Sequence, residues 1–307
     1  MTKISALSVK ALREKSGAGM MDCKKALTAN DGNMDASIDW LRTKGLAVAA
    51  KKSGRIATEG LIGLATNGIS GAVVEVNSET DFVARNPEFQ TFVRTVAGTA
   101  LLKGGDFDQT ATAACDDGKS IQELVTEMVA VIGENLTFRR SAGVSVEAGI
   151  VSSYVHNAVA LNLGKIGVLV ALETSGTTEN LIELGRQLAM HIAAANPKWV
   201  SQADVEVGVR EREREILAEQ ARASGKPEEI VQKMLDGRMK KFFEEVCLLD
   251  QLFVIDGESR VGKVIESAAG IAGAPVSVKG FIRYELGEGI QKEVLDFAAE
   301  VAATAGE

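Results

Sequence analysis

Side chains able to carry out covalent chemistry are few in this sequence, and their spacing matches no familiar catalytic pattern. It has two histidines and three widely separated cysteines, none in a CxxC pair. We therefore expect reduced thiols of a cytosolic chain, and for His191 a partly buried packing role on a predicted helix. There is no HExxH or Cys/His metal spacing, no phosphate-binding glycine loop, and no paired spacing of acids. We expect no catalytic centre, metal or cofactor, although missing motifs do not exclude an enzyme.

One stretch carries residue types suited to contact with another molecule. Asp81 and Phe82 stand side by side within residues 77–86. The β-branched run before them, 71–76, predicts a buried strand, and the helical spacing from residue 87 predicts a helix. The residues between form a strand-to-helix corner, and such corners lie at the surface and often carry function. An acid beside a large aromatic at this place predicts a binding pair.

The elements around this corner occur twice along the chain. Strands 60–66 and 69–77 flank Asn67-Gly68, a two-residue hairpin signal, and a helix follows the corner. From Gly149 the order strand, strand, turn and helix returns, which predicts a degenerate internal duplication. The second copy has Glu173-Thr174-Ser175-Gly176, with small polar residues where the first has the acid and the aromatic. Because the repeated fold does without such a pair, the corner points to function.

Helical regions flank and interrupt this duplicated core. Residues 1–55 predict three helices that bury little core, so at least one face of this bundle should pack against something else. Met20 and Met21 are adjacent, about 100° apart on a helix, so at most one can point fully inward. Residues 204–246 predict an antiparallel helical hairpin, with Gly225 and Pro227 between its arms. In the tail we predict a strand at 281–286 and a helix at 294–303.

Composition favours a protein partner. The chain has 46% apolar and 25% charged residues, a net charge of -8 and a pI near 5.1. An acidic chain lacks the basic surface needed to bind nucleic acid backbone broadly. Charged residues interrupt any N-terminal signal peptide, and no run approaches the roughly 20 apolar residues that span a bilayer. We expect a cytoplasmic, soluble protein without direct nucleic acid or membrane contact.

The fold class predicted is α+β, with a duplicated α/β core of antiparallel sheets. We divide the chain into an N-terminal helical module, a core N-subdomain, the first part of a core C-subdomain, a protruding hairpin, the second part of the C-subdomain and a C-terminal helical module. These regions cover residues 1–55, 56–147, 148–203, 204–246, 247–284 and 285–307.

Five blocks in order along the chain resemble the bacterial elongation factor Ts family. They are SGAGMMDCKKAL at 16–27, ETDFVA at 79–84, IGEN at 132–135, GRMKKF at 237–242 and GFIR at 280–283. The resemblance covers nearly the whole chain. It implies a guanine nucleotide exchange factor for elongation factor Tu that has no covalent chemistry of its own. It also implies that the N-terminal module is ubiquitin-associated-like.

The resemblance further implies which residues act. Thr80, Asp81, Phe82 and Val83 would disturb the partner's magnesium site and so promote nucleotide exchange. Partner binding would use Leu12, Met20, Met21, Lys24, Ile132, Gly133, His156 and Val246. The orientation of His156 depends on the connection 157–164, which is longer than expected for a compact member.

Other functions stay open on the sequence alone. A scaffold or chaperone-like module that binds clients through the hairpin is the main alternative, and an RNA-associated factor is a third. The apolar second arm of the hairpin also permits pairing of two copies of the chain, through the hairpin or the core.

Overall fold

The computed structural model describes residues 4–16, 18–116, 118–223 and 225–290 as an α+β fold. Its helices are α1 (Ala6–Ser16), α2 (Met20–Ala29), α3 (Met34–Lys52), α4 (Pro87–Leu102), α5 (Phe107–Thr112), α6 (Ile121–Ile132), α7 (Ile182–Ala195), α8 (Val207–Arg222), α9 (Glu228–Val246) and α10 (Val261–Ala272). Its strands are β1 (Glu59–Thr66), β2 (Ser70–Ser78), β3 (Leu136–Ser145), β4 (Gly149–His156), β5 (Leu163–Gly164), β6 (Ile166–Glu173) and β7 (Ser277–Glu285). None of these helices has both the length and the apolar character needed to cross a membrane.

The hairpin of β1 and β2 is confirmed, but its turn lies one residue later than predicted. Asn67 N donates to Ser70 O at 3.0 Å, so Gly68 and Ile69 are the two central residues. Only Gly68 needs a left-handed backbone, at φ 98°. Asn67 uses its side chain instead, since its Oδ1 accepts a hydrogen bond from Ser70 N at 2.9 Å. The Asn-Gly signal therefore located the hairpin but misplaced its centre.

Two antiparallel sheets repeat one topology, which confirms the duplication. In one, β2 lies between β1 and β3, and in the other, β6 lies between β4 and β7. Each third strand follows a 12-residue helix, α6 or α10. Each of these helices ends on a left-handed glycine, Gly133 at φ 81° and Gly273 at φ 72°. The register between the third strand and its neighbour also shifts once in each sheet. The shift follows Glu75 in the pair β2 and β3, and Ala171 in the pair β6 and β7.

The sheets pack face to face between outer layers of helices. Helices α4 and α6 cover the outer face of the first sheet, and α7 and α10 cover the second. Apolar side chains fill the space between the sheets, among them Ile62, Leu64, Val73, Val151 and Leu169. The sheets approach closely at two glycines, because a Cβ on Gly71 would lie 2.9 Å from Leu169 and one on Gly167 would lie 2.5 Å from Ile62.

One strand of the first sheet comes from the second half of the chain. β5 lies inside the connection 157–164, and its Gly164 pairs with Ile62 of β1. Leu163 is completely buried there. A strand of two residues has no periodicity, so sequence patterns did not predict it. The short helix α5 was missed for the same reason.

The N-terminal helices pack against the core of the same chain, which identifies the surface that the prediction had left open. Their own small core contains Val9, Leu12, Cys23, Ala26 and Leu27. The far end of α3 lies along α6, where a Cβ on Gly45 would be only 3.2 Å from the Cβ of Ala130. Arg42 of α3 also pairs with Glu123 of α6 at 2.8 Å. The module is therefore docked by one long helix.

Helices α8 and α9 form the predicted antiparallel hairpin. Gly225 adopts φ 68° just after α8, and Pro227 immediately precedes α9. The buried side chains of the two arms lie in the half of the hairpin next to its loop, namely Ala218, Ala221, Val231 and Leu235. The predicted strand at 281–286 overlaps β7, which begins four residues earlier and ends one residue earlier, and Gly287 and Gly289 with positive φ follow it. The predicted helix at 294–303 lies outside the described residues.

Candidate functional site

The corner is one turn of 3-10 helix, Asp81–Arg85, between β2 and α4. Asn86 begins α4 by capping it, because its Oδ1 accepts from Glu88 N at 2.8 Å. Pro87 in the first turn suits this position, since it has no N–H to leave unsatisfied. The predicted strand-to-helix corner is confirmed, and its position is fixed from both sides by regular elements.

The side chains of the corner divide into outward and inward groups. Phe82 is 77% exposed and Asp81 is exposed beside it. Val83 and Ala84 are buried in the core beneath α4. Of the four residues expected to act here, Val83 therefore serves the core, while Asp81 and Phe82 face outward. A phenylalanine this exposed contributes little to folding and is available to a partner.

A reciprocal pair of carboxylates ties the corner to the end of α6. Glu134 accepts hydrogen bonds from Thr80, 2.9 Å from its backbone N and 2.6 Å from its Oγ1. In the other direction, Glu79 accepts from Asn135 N at 2.6 Å. Arg55, at the end of the N-terminal module, pairs with Glu79 at 3.3 Å, and its carbonyl accepts from Asn135 Nδ2. We call Glu79, Thr80, Glu134 and Asn135 the corner clamp.

The clamp brings two predicted groups of site residues together. Gly133 is exposed at the left-handed end of α6, next to Glu134, and Ile132 packs half-buried against the core. Sequence reasoning did not assign Glu79, Glu134 or Asn135 to the site. They do fall inside the blocks ETDFVA and IGEN, which was the available signal.

His156 lies at the same end of the molecule as the corner, but on the second sheet. Its carbonyl accepts from Lys165 N at 3.2 Å, and Lys165 Nζ pairs with Glu59 at 2.9 Å. Glu59 in turn lies opposite Ser78, where the corner begins. The exposed His156 ring is 3.3 Å from the hydroxyl of Tyr154, measured at Nδ1. The predicted longer connection therefore folds back onto the first sheet and leaves His156 at the surface.

Val246 lies at the base of the hairpin and is not part of the corner. It is half-buried at the last position of α9, and its carbonyl accepts from Lys198 N at 2.8 Å and Trp199 N at 3.1 Å. These bonds fasten the returning arm to the loop after α7.

Three of the four predicted site residues in the N-terminal module are exposed, and Leu12 is the exception. Met20 is 60% exposed and Met21 is 63% exposed, and Lys24 is exposed one turn later. Neither methionine is buried, which agrees with the prediction that at most one of them can point fully inward. Leu12, in contrast, is completely buried between the helices. A side chain without exposed surface cannot touch a partner in this conformation, so Leu12 supports the helix that presents the methionines.

His191 is a core residue, fully buried where partial burial was predicted. Its Nδ1 accepts from Val254 N at 3.2 Å, so its Nε2 carries the proton and donates to Gln251 Oε1 at 2.9 Å. Burial lowers the pKa of His191, and the bond to Gln251 only partly opposes this. The described residues contain no cluster of His, Cys, Asp or Glu that could hold a metal ion.

Comparison with known proteins gives consistent matches over the whole chain. A family model described as Elongation factor TS matches residues 79–288. A curated protein of Rhodospirillum centenum, named Elongation factor Ts, is 58% identical over 307 residues, 100% of each chain. The proteins of that name from Rhodospirillum rubrum and Paramagnetospirillum magneticum are 56% and 55% identical, and each alignment covers at least 98% of both chains.

Proposed function

Because this chain belongs to the elongation factor Ts family of translation elongation factors, we propose that it is a guanine nucleotide exchange factor for elongation factor Tu. It binds the GDP form of that GTPase in the cytoplasm, loosens the magnesium and phosphate contacts of the nucleotide, and so speeds GDP release. The exchange factor itself makes and breaks no covalent bond.

One observation carries this proposal beyond family membership. Phe82 is 77% exposed, yet its neighbour Val83 is buried, and the clamp fixes Thr80 on its other side. An exposed aromatic on a fixed support resembles the anchors that dominate protein interfaces. Phe82 enters a gap in the nucleotide-binding domain of the partner, and Asp81 reaches the surroundings of the magnesium ion.

The energies required are within reach of such an anchor. Each tenfold faster release needs about 1.4 kcal/mol off the barrier, so three to four decades need roughly 4 to 6 kcal/mol. Burying one large apolar side chain contributes about 1.5 to 3 kcal/mol. Phe82 therefore supplies a good part, and the rest comes from Met20, Met21, Lys24 and the other contacts of the wider interface.

Linkage explains how the factor turns over. If the exchange factor weakens the binding of GDP to the GTPase, then GDP weakens the binding of the exchange factor to the GTPase by the same factor. The factor therefore binds most tightly to the nucleotide-free GTPase. Arrival of GTP displaces it, and it returns to another GDP complex.

The test is stopped-flow release of a fluorescent GDP analogue from purified elongation factor Tu. Phe82→Ala should lower the maximal release rate by about 10- to 100-fold, the loss expected for one buried aromatic. Its half-saturating concentration should change little, because the methionines and the rest of the interface remain. Leu102→Ala is the control, since Leu102 is 85% exposed at the far end of α4.

Two results would count against the proposal. If the wild-type protein does not accelerate GDP release, the exchange function is wrong. If it does but Phe82→Ala matches Leu102→Ala, the exchange function stands and the anchor is elsewhere.

A further inference from the structure

The segment that carries Asp81 and Phe82 is fixed at two points, one on each side. On the far side, Val83 is buried and its carbonyl accepts from Asn86 N at 2.9 Å, while Ala84 O accepts from Gln90 Nε2 at 3.0 Å. On the near side, Thr80 is fixed through its backbone and its side chain. The pair Asp81 and Phe82 is therefore the short span between two anchored residues.

The near anchor depends on one carboxylate from a distant part of the sequence. Glu134 takes both available donors of Thr80, its N–H and its hydroxyl, at 2.9 and 2.6 Å. Ser78 Oγ adds a bond of 2.9 Å to Thr80 O, so both backbone polar groups of Thr80 are engaged. Hydrogen bonds to an ionised carboxylate are among the stronger ones, and two from one residue also fix its orientation.

A second hydrogen bond, in the opposite direction, also joins the two segments of the corner clamp. Glu79 Oε1 holds Asn135 N at 2.6 Å, next to Glu134 itself. Because Asn135 follows Glu134 directly, Glu134 cannot move away from Thr80 without also disturbing the bond between Glu79 and Asn135. Without the clamp, the two exposed residues would join a longer flexible stretch, and ordering each residue on binding reduces the free energy available for function.

We propose that Glu134 is a positioning residue for nucleotide exchange, acting on Asp81 and Phe82 through Thr80. It does not touch the partner's nucleotide. It holds the corner in the geometry that Phe82 needs on arrival, so its effect falls on the maximal exchange rate. This inference rests on the proposed exchange function and adds to it a residue outside the contact surface.

Three substitutions test it in the full-length chain. Thr80→Val removes the hydroxyl donor with little change of shape, Thr80→Ser keeps the donor, and Glu134→Gln replaces one carboxylate oxygen by an amide donor. Glu127→Gln is the matched control, because Glu127 lies on α6, seven residues before Glu134, and its carboxylate pairs with Lys119 at 2.7 Å. Thermal melting checks that each variant folds.

Two readouts are needed, since a general loss of structure would also reduce activity. The first is GDP-analogue release at varied factor concentration. For Thr80→Val and Glu134→Gln we expect the maximal rate to fall about tenfold or more with the half-saturating concentration within about twofold, the pattern of an interaction used in the rate-limiting step. Thr80→Ser should stay within about threefold of wild type, because it keeps the donor.

The second readout is amide hydrogen exchange of the peptide covering 78–85, measured without any partner. Protection at Thr80 should be lost in Glu134→Gln and kept in Glu127→Gln.

The proposal is overturned if folded Thr80→Val and Glu134→Gln release nucleotide at the wild-type maximal rate. It is also overturned if Thr80→Ser is as slow as Thr80→Val, because the hydroxyl would then be irrelevant. Should Glu134→Gln fail to fold, the two Thr80 variants decide the matter. A wild-type protein without exchange activity would instead reject the proposed function itself.

Discussion

Glu75 and Gly287 are bonded directly although 212 positions of sequence separate them, with Glu75 Oε1 accepting from Gly287 N at 2.9 Å. Glu75 lies on β2 and is completely buried. Arg139 and Arg140, both on β3, pair with its two oxygens at 2.9 and 2.5 Å. The Arg140 guanidinium also lies 4.0 Å from the ring centroid of Tyr284 on β7. One carboxylate therefore joins the first sheet to the last described segment of the chain.

Removing that carboxylate should destabilise the fold strongly. Glu75→Ala leaves two arginines and the Gly287 N–H without their acceptor, and breaking a buried ion pair from one side costs about 3 to 5 kcal/mol. Glu75→Gln keeps an acceptor oxygen but not the charge, and should cost less. Urea unfolding of both variants measures the difference. Equal, small losses in the two variants would show that the network contributes little.

The same group should give the stability a defined pH dependence. Burial alone raises the pKa of Glu75, but hydrogen bonds from Gly287, Asn77, Arg140 and Arg139 outweigh it and hold the pKa below its ordinary 4.5. A lowered pKa contributes stability above the ordinary value, and that contribution is lost as the pH falls through the folded-state pKa. The stability gap between wild type and Glu75→Gln should therefore be full at neutral pH and shrink below about pH 4.5. A gap that does not change with pH contradicts this assignment.

Asp81 should contribute less to exchange than Phe82, and in a way that salt reveals. It is exposed, and an exposed charge is typically worth at most about 1 kcal/mol, or about fivefold in rate. Asp81→Asn should slow GDP release by no more than this at low salt, and the loss should fade as the salt rises to about 0.5 M. The Phe82→Ala defect should not fade. Asp108→Asn, which removes another exposed carboxylate, is the control.

The close approach of the two sheets can be tested with one methyl group. A Cβ on Gly167 would lie 2.5 Å from Ile62 Cγ2 and 3.1 Å from Leu64 Cδ2, whereas one on Gly280 of the same sheet would meet nothing within 4 Å. Gly167→Ala should therefore destabilise by about 1 to 3 kcal/mol, as overpacking does. Gly280→Ala should be neutral or slightly stabilising. Urea midpoints that are the same for both variants would mean that the sheets are not packed this closely.

Whether the hairpin can be deleted without loss of stability should depend on where the deletion begins and ends. Within α9, Glu244 pairs with Arg260 at 2.6 Å, and Glu245 O accepts from Gln251 Nε2 at 2.7 Å. Deleting 205–245 removes these bonds and the buried Val205, while deleting 211–238 and joining the ends with a short glycine linker keeps them. The shorter deletion should melt close to wild type and the longer one clearly lower. A collapse of both would show that the core needs the whole hairpin.

What the sequence predicted follows from local physics. Apolar periodicity located the longer helices and strands, and the exposed Phe82 could be picked out because it follows a buried strand at a corner. The contacts that hold the corner were not predictable in this way. Glu134 and Thr80 are 54 positions apart. Nothing in the pattern of either segment specifies their pairing, which depends on how α6 and β3 pack beside β2.

The burial of individual side chains could not be predicted from the sequence pattern either. Helical spacing allowed one of Met20 and Met21 to point inward, but both are exposed, since Cys23, Ala26 and Leu27 fill the inner face of α2. Leu12 was assigned to the partner surface by family resemblance and lies in the core of the module. Which face of a short helix is covered depends on its neighbours in space.

The edge strand β5 limits how the molecule could be divided. The first sheet ends in Leu163–Gly164, which come from the second repeat. A chain cut in the exposed turn at Glu147 and Ala148 would leave the first fragment with unpaired backbone groups along β1 and a cavity at the position of Leu163. The fragments would be complementary pieces that recover a fold only on reassociation. The second repeat gives a strand to the sheet of the first, and we therefore expect the two repeats to unfold as one cooperative unit.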